Sequence, residues 1–210
     1  PGAHGAPGGA GYLDMFAGPG KVRLRENGLV CEGSPMLALG HTDAPFTKVV
    51  LCDLDTENVE TLRVRTAPFG ARVQIFHGVC NEIAQQLAEA LPEHGLNLAF
   101  VDPFKLDPLR FATLKTLATQ CKRLDLFINF PTQDVKRNLK IYMNANNSLV
   151  DRTLGTSKWR SLINSTSDVF RLIDLFTDQL EGLGYTGVRN RTIPVTQSTN
   201  AELYRLIFAS

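Results

Sequence analysis

Tyr12 to Gly20 reads YLDMFAGPG, an apolar pair running into Asp14 and then into a turn carrying Phe16, Gly18 and Gly20. An acid at the carboxyl end of a strand, followed by glycines that let backbone approach a ligand, suits the floor of a nucleotide-type site. Two more acids end apolar runs. Asp53 closes KVVLCD, and Asp102 stands at the head of Asp102-Pro103-Phe104. A carboxylate held on a proline turn is geometrically rigid, which favours a positioning role, although the same turn can simply cap the next helix. Asn129-Phe130-Pro131 repeats that logic, offering an amide and an aromatic. Asp55 reads as a helix cap. The cysteines (Cys31, Cys52, Cys80, Cys121) and histidines (His4, His41, His77, His94) are scattered, without a CxxC pair or any metal-ligand spacing. They read as reduced thiols of a cytoplasmic protein that holds no metal.

These residues need strands to carry them. Lys48–Asp53, Val73–Phe76, Leu96–Val101 and Leu124–Phe130 are short apolar runs bounded by turn residues, as buried strands are. Helices are expected from Ser34-Pro35 (Ser34 as cap) to about Gly40, from Thr56 (as cap) to about Ala67, and from an Asn81 cap through Leu91. Two more are expected from about Pro108 to Gln120 and from Asp168 to Leu183. Lys21 to Gly33 reads as loop. Val188–Val195 and Leu203–Phe208, joined by Gln197-Ser198-Thr199-Asn200, read as an antiparallel hairpin. The expected fold is a three-layer αβα sandwich whose seven-stranded, mainly parallel sheet ends in that hairpin, the layout of Rossmann-like class I methyltransferases. Residues 1–11 (PGAHGAPGGAG) are expected to be a flexible leader, and residues 12–210 one domain with a basic insertion at about 132–161. The chain carries 22 Lys and Arg against 21 Asp and Glu, so only a local patch could bind nucleic acid. No apolar run approaches the roughly 20 residues that span a bilayer.

In such a sheet the strand ends face one crevice. S-adenosylmethionine would use them in order: Asp14, Phe16, Gly18 and Gly20 for its amino-acid end, Asp53 for the ribose, and the turn after the third strand for adenine. The Asp102 turn would meet the methyl group and the acceptor. In the basic insertion, Lys136, Arg137, Lys140, Lys158 and Arg160 could hold phosphates of DNA or RNA, with Trp159 on a base; a solvated surface insertion is the alternative. An NAD-linked oxidoreductase is the weakest reading, since there is no clear GxGxxG and the chain ends in a hairpin.

The order FAGPG, GSP, DPF and INFP resembles the three-Cys-motif partner protein family, bacterial and phage-associated proteins with a methyltransferase-like fold. Asp102-Pro103-Phe104 also resembles the D-P-P-[FY] signature of amino-methylating nucleic-acid methyltransferases, shortened by one proline. That resemblance implies catalytic roles for Asp102, Phe104 and Asn129, with hydrogen bonds accepted from the target amine and an aromatic stacked on the base. The family resemblance implies a protein partner encoded nearby, and leaves a non-catalytic partner protein in a phage-associated or DNA-processing system as the rival to an enzyme. Lys105 stands where the family pattern has glycine. Val79, Cys80 and Asn81 follow Gly78 where it has an acid, which leaves Asn81 to meet the adenine amine.

Overall fold

The computed structural model describes residues 8–25, 27–163, 166–198 and 200–210. Residues 1–7 of the expected leader and Thr199 of the hairpin turn lie outside the described residues. Seven strands form one sheet in the order β5-β4-β1-β6-β7-β9-β8, and β2 and β3 pair separately. In sequence these are β1 (Ala10–Asp14), β2 (Lys21–Arg23), β3 (Val30–Glu32), β4 (Lys48–Asp53), β5 (Val73–His77), β6 (Leu96–Val101), β7 (Leu124–Phe130), β8 (Thr192–Thr196) and β9 (Glu202–Ala209). β1 runs parallel to β4 and β6, and β4 to β5, while β9 is antiparallel to both β7 and β8. This is the expected mainly parallel sheet with its antiparallel end, flanked by helices. The helices are α1 (Ser34–Gly40), α2 (Thr56–Thr66), α3 (Ala84–Glu89), α4 (Phe111–Gln120), α5 (Thr132–Asn144), α6 (Leu149–Leu154) and α7 (Phe170–Glu181). By contacts the chain divides into two compact units: residues up to Phe100 with Thr116–Asp125, and Val101–Lys115 with Leu126–Ser210.

In the first unit, Val49, Val50, Leu51 and Cys52 of β4 are all inaccessible to solvent, as a strand covered on both faces must be. β1 begins at Ala10, inside the expected leader. The residue types there allow it: a Cβ on Gly11 would stand 2.3 Å from Asn97 Oδ1 and 2.7 Å from Pro92 Cδ, so only glycine fits. Lys21 to Gly33, expected as loop, forms the β2–β3 hairpin, closed by a Lys21–Glu32 ion pair of 3.0 Å. Its strands are three residues each, too short for periodicity to announce them. The caps differ in part. Asp55, expected as a helix cap, caps α2 by accepting from Asn58 N–H at 3.0 Å, while Thr56, the other expected cap, is the first residue of the helix. Gly33 occupies the cap position of α1, which frees Ser34 for another partner. α3 starts at Ala84 with Ile83 at its cap position, so Asn81 belongs to the preceding turn.

Burial pushes the Cys52 thiol up to about 12, reinforced by Cys80, Asp53 and Asp14, and burial also raises Cys121. Thiolates are the reactive form, so these groups are inert in the folded protein. Cys80 is buried too, whereas Cys31 on β3 is half-exposed. Alkylation of the native protein at pH 8 should therefore modify Cys31 alone, with all four thiols reacting in denaturant; mass spectrometry reads the count.

In the second unit, the stretch expected as a polar insertion is helical. α5 buries Val135, Leu139 and Tyr142 at i, i+4 and i+7. α6 opens on a capping box in which Ser148 and Asp151 satisfy each other's backbone N–H, and it stops at Gly155 in the left-handed region (φ 67°). A Cβ at Gly155 would also fall 2.7 Å from the Phe111 ring. α7 buries Leu172, Ile173, Phe176 and Leu180, and Phe176 packs against Phe130 with ring centroids 5.2 Å apart. The expected strand from Val188 is instead a short 3₁₀ turn, and β8 starts at Thr192.

Candidate functional site

Each unit carries one part of the expected site. In the first, β1 delivers Asp14 into full burial. A buried carboxylate needs donors, and Asp14 has them: Ser34 Oγ donates to Oδ2 at 2.6 Å, Tyr12 Oη to Oδ2 at 3.2 Å, and Phe16 N–H to Oδ1 at 3.2 Å. Asp14 therefore organises the glycine loop from beneath, a correction to its expected role as a direct cofactor ligand. Ser34, expected only as a cap, is the residue that locks it.

The loop backbone is spent on the protein as well. Met15 N–H donates to Phe100 O, Ala17 N–H to Cys52 O, and Gly18 N–H to Asp53 Oδ2 at 2.7 Å. Asp53 Oδ1 accepts from Asp55 N–H at 2.8 Å and from Asn58 Nδ2 at 3.2 Å. Because each carboxylate oxygen has two acceptor sites, Oδ2 keeps room for a hydroxyl. Gly18 has φ +58° and a Cβ there would meet nothing within 4 Å, so the residue presents bare backbone to open space. Gly20 (φ +81°) is packed instead, with Leu62 Cδ2 3.3 Å from where a Cβ would be. Arg65 donates to Pro19 O and fixes the rim of the loop. His77 ends β5 and Asn81 follows it; His77 Nε2 lies 3.3 Å from Thr56 Oγ1 and 3.1 Å from Leu54 O.

The second unit brings together Asp102, Phe104 and Asn129, as expected. Asn129 Nδ2 donates to Asp102 Oδ1 at 2.5 Å, while Asn129 Oδ1 is buried without a hydrogen-bond partner. Phe104 is 90% exposed. These residues border a cleft of about 530 Å³ that also has Lys105, Arg137 and Tyr204 in its wall. Asp134, in the first turn of α5, accepts Leu106 N–H at 2.9 Å and Asn138 Nδ2 at 2.8 Å, tying the Asp102–Leu106 turn to the helix. Lys105 and Tyr204 were not expected here. Tyr204 enters because β9 runs antiparallel to β7, which returns its first residues to the end where β7 finishes; the register pairs Phe130 with Arg205.

The basic residues divide. Arg137 is exposed at the cleft, and Lys140 and Lys158 are exposed, while Lys136 is half-buried with Nζ 4.7 Å from the Phe170 ring centroid. Trp159 and Arg160 are corrections. Trp159 is inaccessible to solvent and its Nε1 donates to Asp151 at 2.7 Å, so it cannot stack on a base. Arg160 pairs with Asp151 and donates to the Ala145 carbonyl at 2.6 Å, work that holds the end of α5 to α6. Among the described residues no three His, Cys, Asp or Glu gather as a metal site, and no helix is long and apolar enough to cross a membrane.

No protein-family model matches the chain, and no curated protein matches it in sequence. Among solved structures it is similar to a Legionella pneumophila protein of the DUF519 family: 11% identity, 96% of this chain and 76% of that chain covered, TM-score 0.56. It is also similar to the methyltransferase domain of a bacterial Hen1 protein: 12% identity, 95% and 89% covered, TM-score 0.49. At such identities the likeness is one of fold.

Proposed function

We propose that the chain is an S-adenosylmethionine-dependent methyltransferase acting on an amino group of nucleic acid, as its motif resemblance to the three-Cys-motif partner family and to D-P-P-[FY] enzymes suggests. The observation that carries the reading is the clasp of Asp53 on Gly18 N–H beneath an open glycine face. Such a loop, held from below by Asp14 and Ser34, admits the cofactor's backbone-hugging end, and the remaining acceptor site of Asp53 Oδ2 suits a ribose hydroxyl. When bound, the cofactor supplies an electrophilic methyl group. The chain's own contribution at the acceptor is orientation. Asp102, held by Asn129 Nδ2, accepts an N–H bond of the amine, and Phe104 supports the ring that bears it. Asn81 is assigned to the adenine end.

Titration calorimetry with S-adenosylhomocysteine tests the reading. Micromolar binding is expected, falling at least tenfold in Asp53→Ala. A folded protein that binds none supports a second reading, a non-catalytic partner protein. That alternative is favoured by one observation: Asp14 and the N–H groups of Met15, Phe16, Ala17 and Gly18 already have partners within the protein.

A further inference from the structure

We infer that the β2–β3 hairpin is a flap that closes one apolar face over the cofactor seated on the glycine loop; this rests on reading that loop as the S-adenosylmethionine site.

The face follows from the register. Lys21 pairs with Glu32, Val22 with Cys31 and Arg23 with Val30, and one step further on Leu24 N–H donates to Leu29 O at 2.8 Å. Residues directly opposite in an antiparallel pair point the same way, and successive residues alternate. Val22, Leu24, Leu29 and Cys31 therefore share one face, while Lys21, Arg23, Val30 and Glu32 share the other. The second face suits water. Lys21 and Glu32 form their ion pair there, and Arg23 donates to the Gly28 carbonyl at 3.2 Å. The first face has no such reason to be exposed, yet Val22 is 49%, Leu24 38% and Leu29 55% accessible. A two-stranded ribbon is marginal in water unless its apolar face is covered.

Size and position say what covers it. Three aliphatic side chains and a thiol offer at most a few hundred Å². A stable dimer buries about 800 Å² on each partner, so a second copy is a poor match for this face and a small molecule a good one. The hairpin also grows out of the candidate site itself. β2 begins immediately after Gly20, in the loop whose Gly18 presents bare backbone to open space, and Leu24 lies about 13 Å along the ribbon. Both strands leave the body of the unit at glycine. Gly33 N–H donates to Gly20 O at 2.8 Å, and a Cβ on Gly33 would stand 3.0 Å from that oxygen. A base free of side chains suits a hinge. S-adenosylmethionine carries an adenine ring and a methylene chain, apolar parts that such a face can cover, and covering them excludes water from the site.

Cys31 reports on closure, because it lies on the apolar face and is half-exposed while Cys52, Cys80 and Cys121 are buried. Its alkylation by iodoacetamide at pH 8, followed by mass spectrometry, should slow at least tenfold at saturating S-adenosylhomocysteine. Calorimetry should find that ligand bound at least tenfold more weakly by the double variant Leu24→Ser and Leu29→Ser. Both side chains are exposed, so the melting temperature of the variant should stay unchanged. The alkylation uses wild-type protein and decides the matter even where the variant unfolds. An unchanged Cys31 rate in protein that calorimetry shows to be loaded overturns the inference and leaves the cofactor site standing, as does full affinity in a folded double variant. Protection of Cys31 that grows with protein concentration and ignores the ligand also overturns it, in favour of pairing between copies. A folded protein that binds no S-adenosylhomocysteine defeats the cofactor reading and the flap together.

Discussion

Replacing Asp102 by alanine should lower methyl transfer by at least about 10³-fold while leaving S-adenosylhomocysteine affinity within about twofold. The two effects separate because the hydrogen-bond partner of Asp102 is Asn129, beside it in the acceptor cleft. Removing the carboxylate takes away the acceptor for the amine and releases the Asn129 amide that holds it. The side chain is exposed, and its loss should cost stability no more than about 0.5 kcal/mol. Asp102→Asn preserves an acceptor oxygen and should retain intermediate turnover. Transfer of a radiolabelled methyl group to single-stranded oligonucleotides provides the readout. Wild-type turnover in the alanine variant would sink the assigned role.

The largest stability effect is expected at Asp151. It sits where α6 begins, accepting from Ser148 in the capping box, from Trp159 Nε1 at 2.7 Å and from Arg160 Nη2 at 2.7 Å. Its side chain is 10% exposed and that of Arg160 27%. Breaking such a pair leaves a guanidinium and an indole N–H without their acceptor, so Asp151→Ala should destabilise the fold by about 3 kcal/mol. For a chain of this size that is roughly 6–12 °C in melting temperature.

Acid should act through the same group. Burial alone would raise the Asp151 pKa, but hydrogen bonds from Arg160, Trp159 and Ser148 outweigh it and hold the group at about 2, below the ordinary 3.8. A depressed carboxylate stabilises the fold fully above its unfolded-state value and ceases to do so as pH falls through the folded one. The contribution, about 2 kcal/mol, is therefore lost between about pH 4 and pH 2, and Asp151→Ala should melt with a flatter pH dependence across that window. Parallel acid dependence of the two proteins would contradict this account.

The parallel strands were legible in the chain because their apolar runs end at turn residues. Lys48–Asp53, Leu96–Val101 and Leu124–Phe130 fall where the residues place them. α5 and α6 were also written there, in the Val135–Leu139–Tyr142 spacing and the Ser148–Asp151 capping box, but a dense background of Lys, Arg and Asn conceals the three buried apolar positions among the thirteen residues of α5. Residue type alone suggested that Trp159 and Arg160 meet nucleic acid; a buried acid eight and nine positions earlier claims both. Likewise an acid ending a strand can serve a ligand or its own loop. Asp14 serves the loop because Ser34, twenty residues on, folds back onto it.

By itself, then, the sequence determined the strands of the main sheet, most of the helices between them and the residue types at the strand ends, since these depend on local periodicity and turn chemistry. Only the tertiary structure decided which polar groups are already satisfied. A carboxylate, amide or guanidinium has the same sequence signature whether its partner is a distant residue or a ligand. That choice separates Asp14, Asp151 and Arg160, whose partners lie within the protein, from Gly18, Asn129 and Arg137, which keep open backbone, an unpaired carbonyl and a charge free of ion pairs among the described residues.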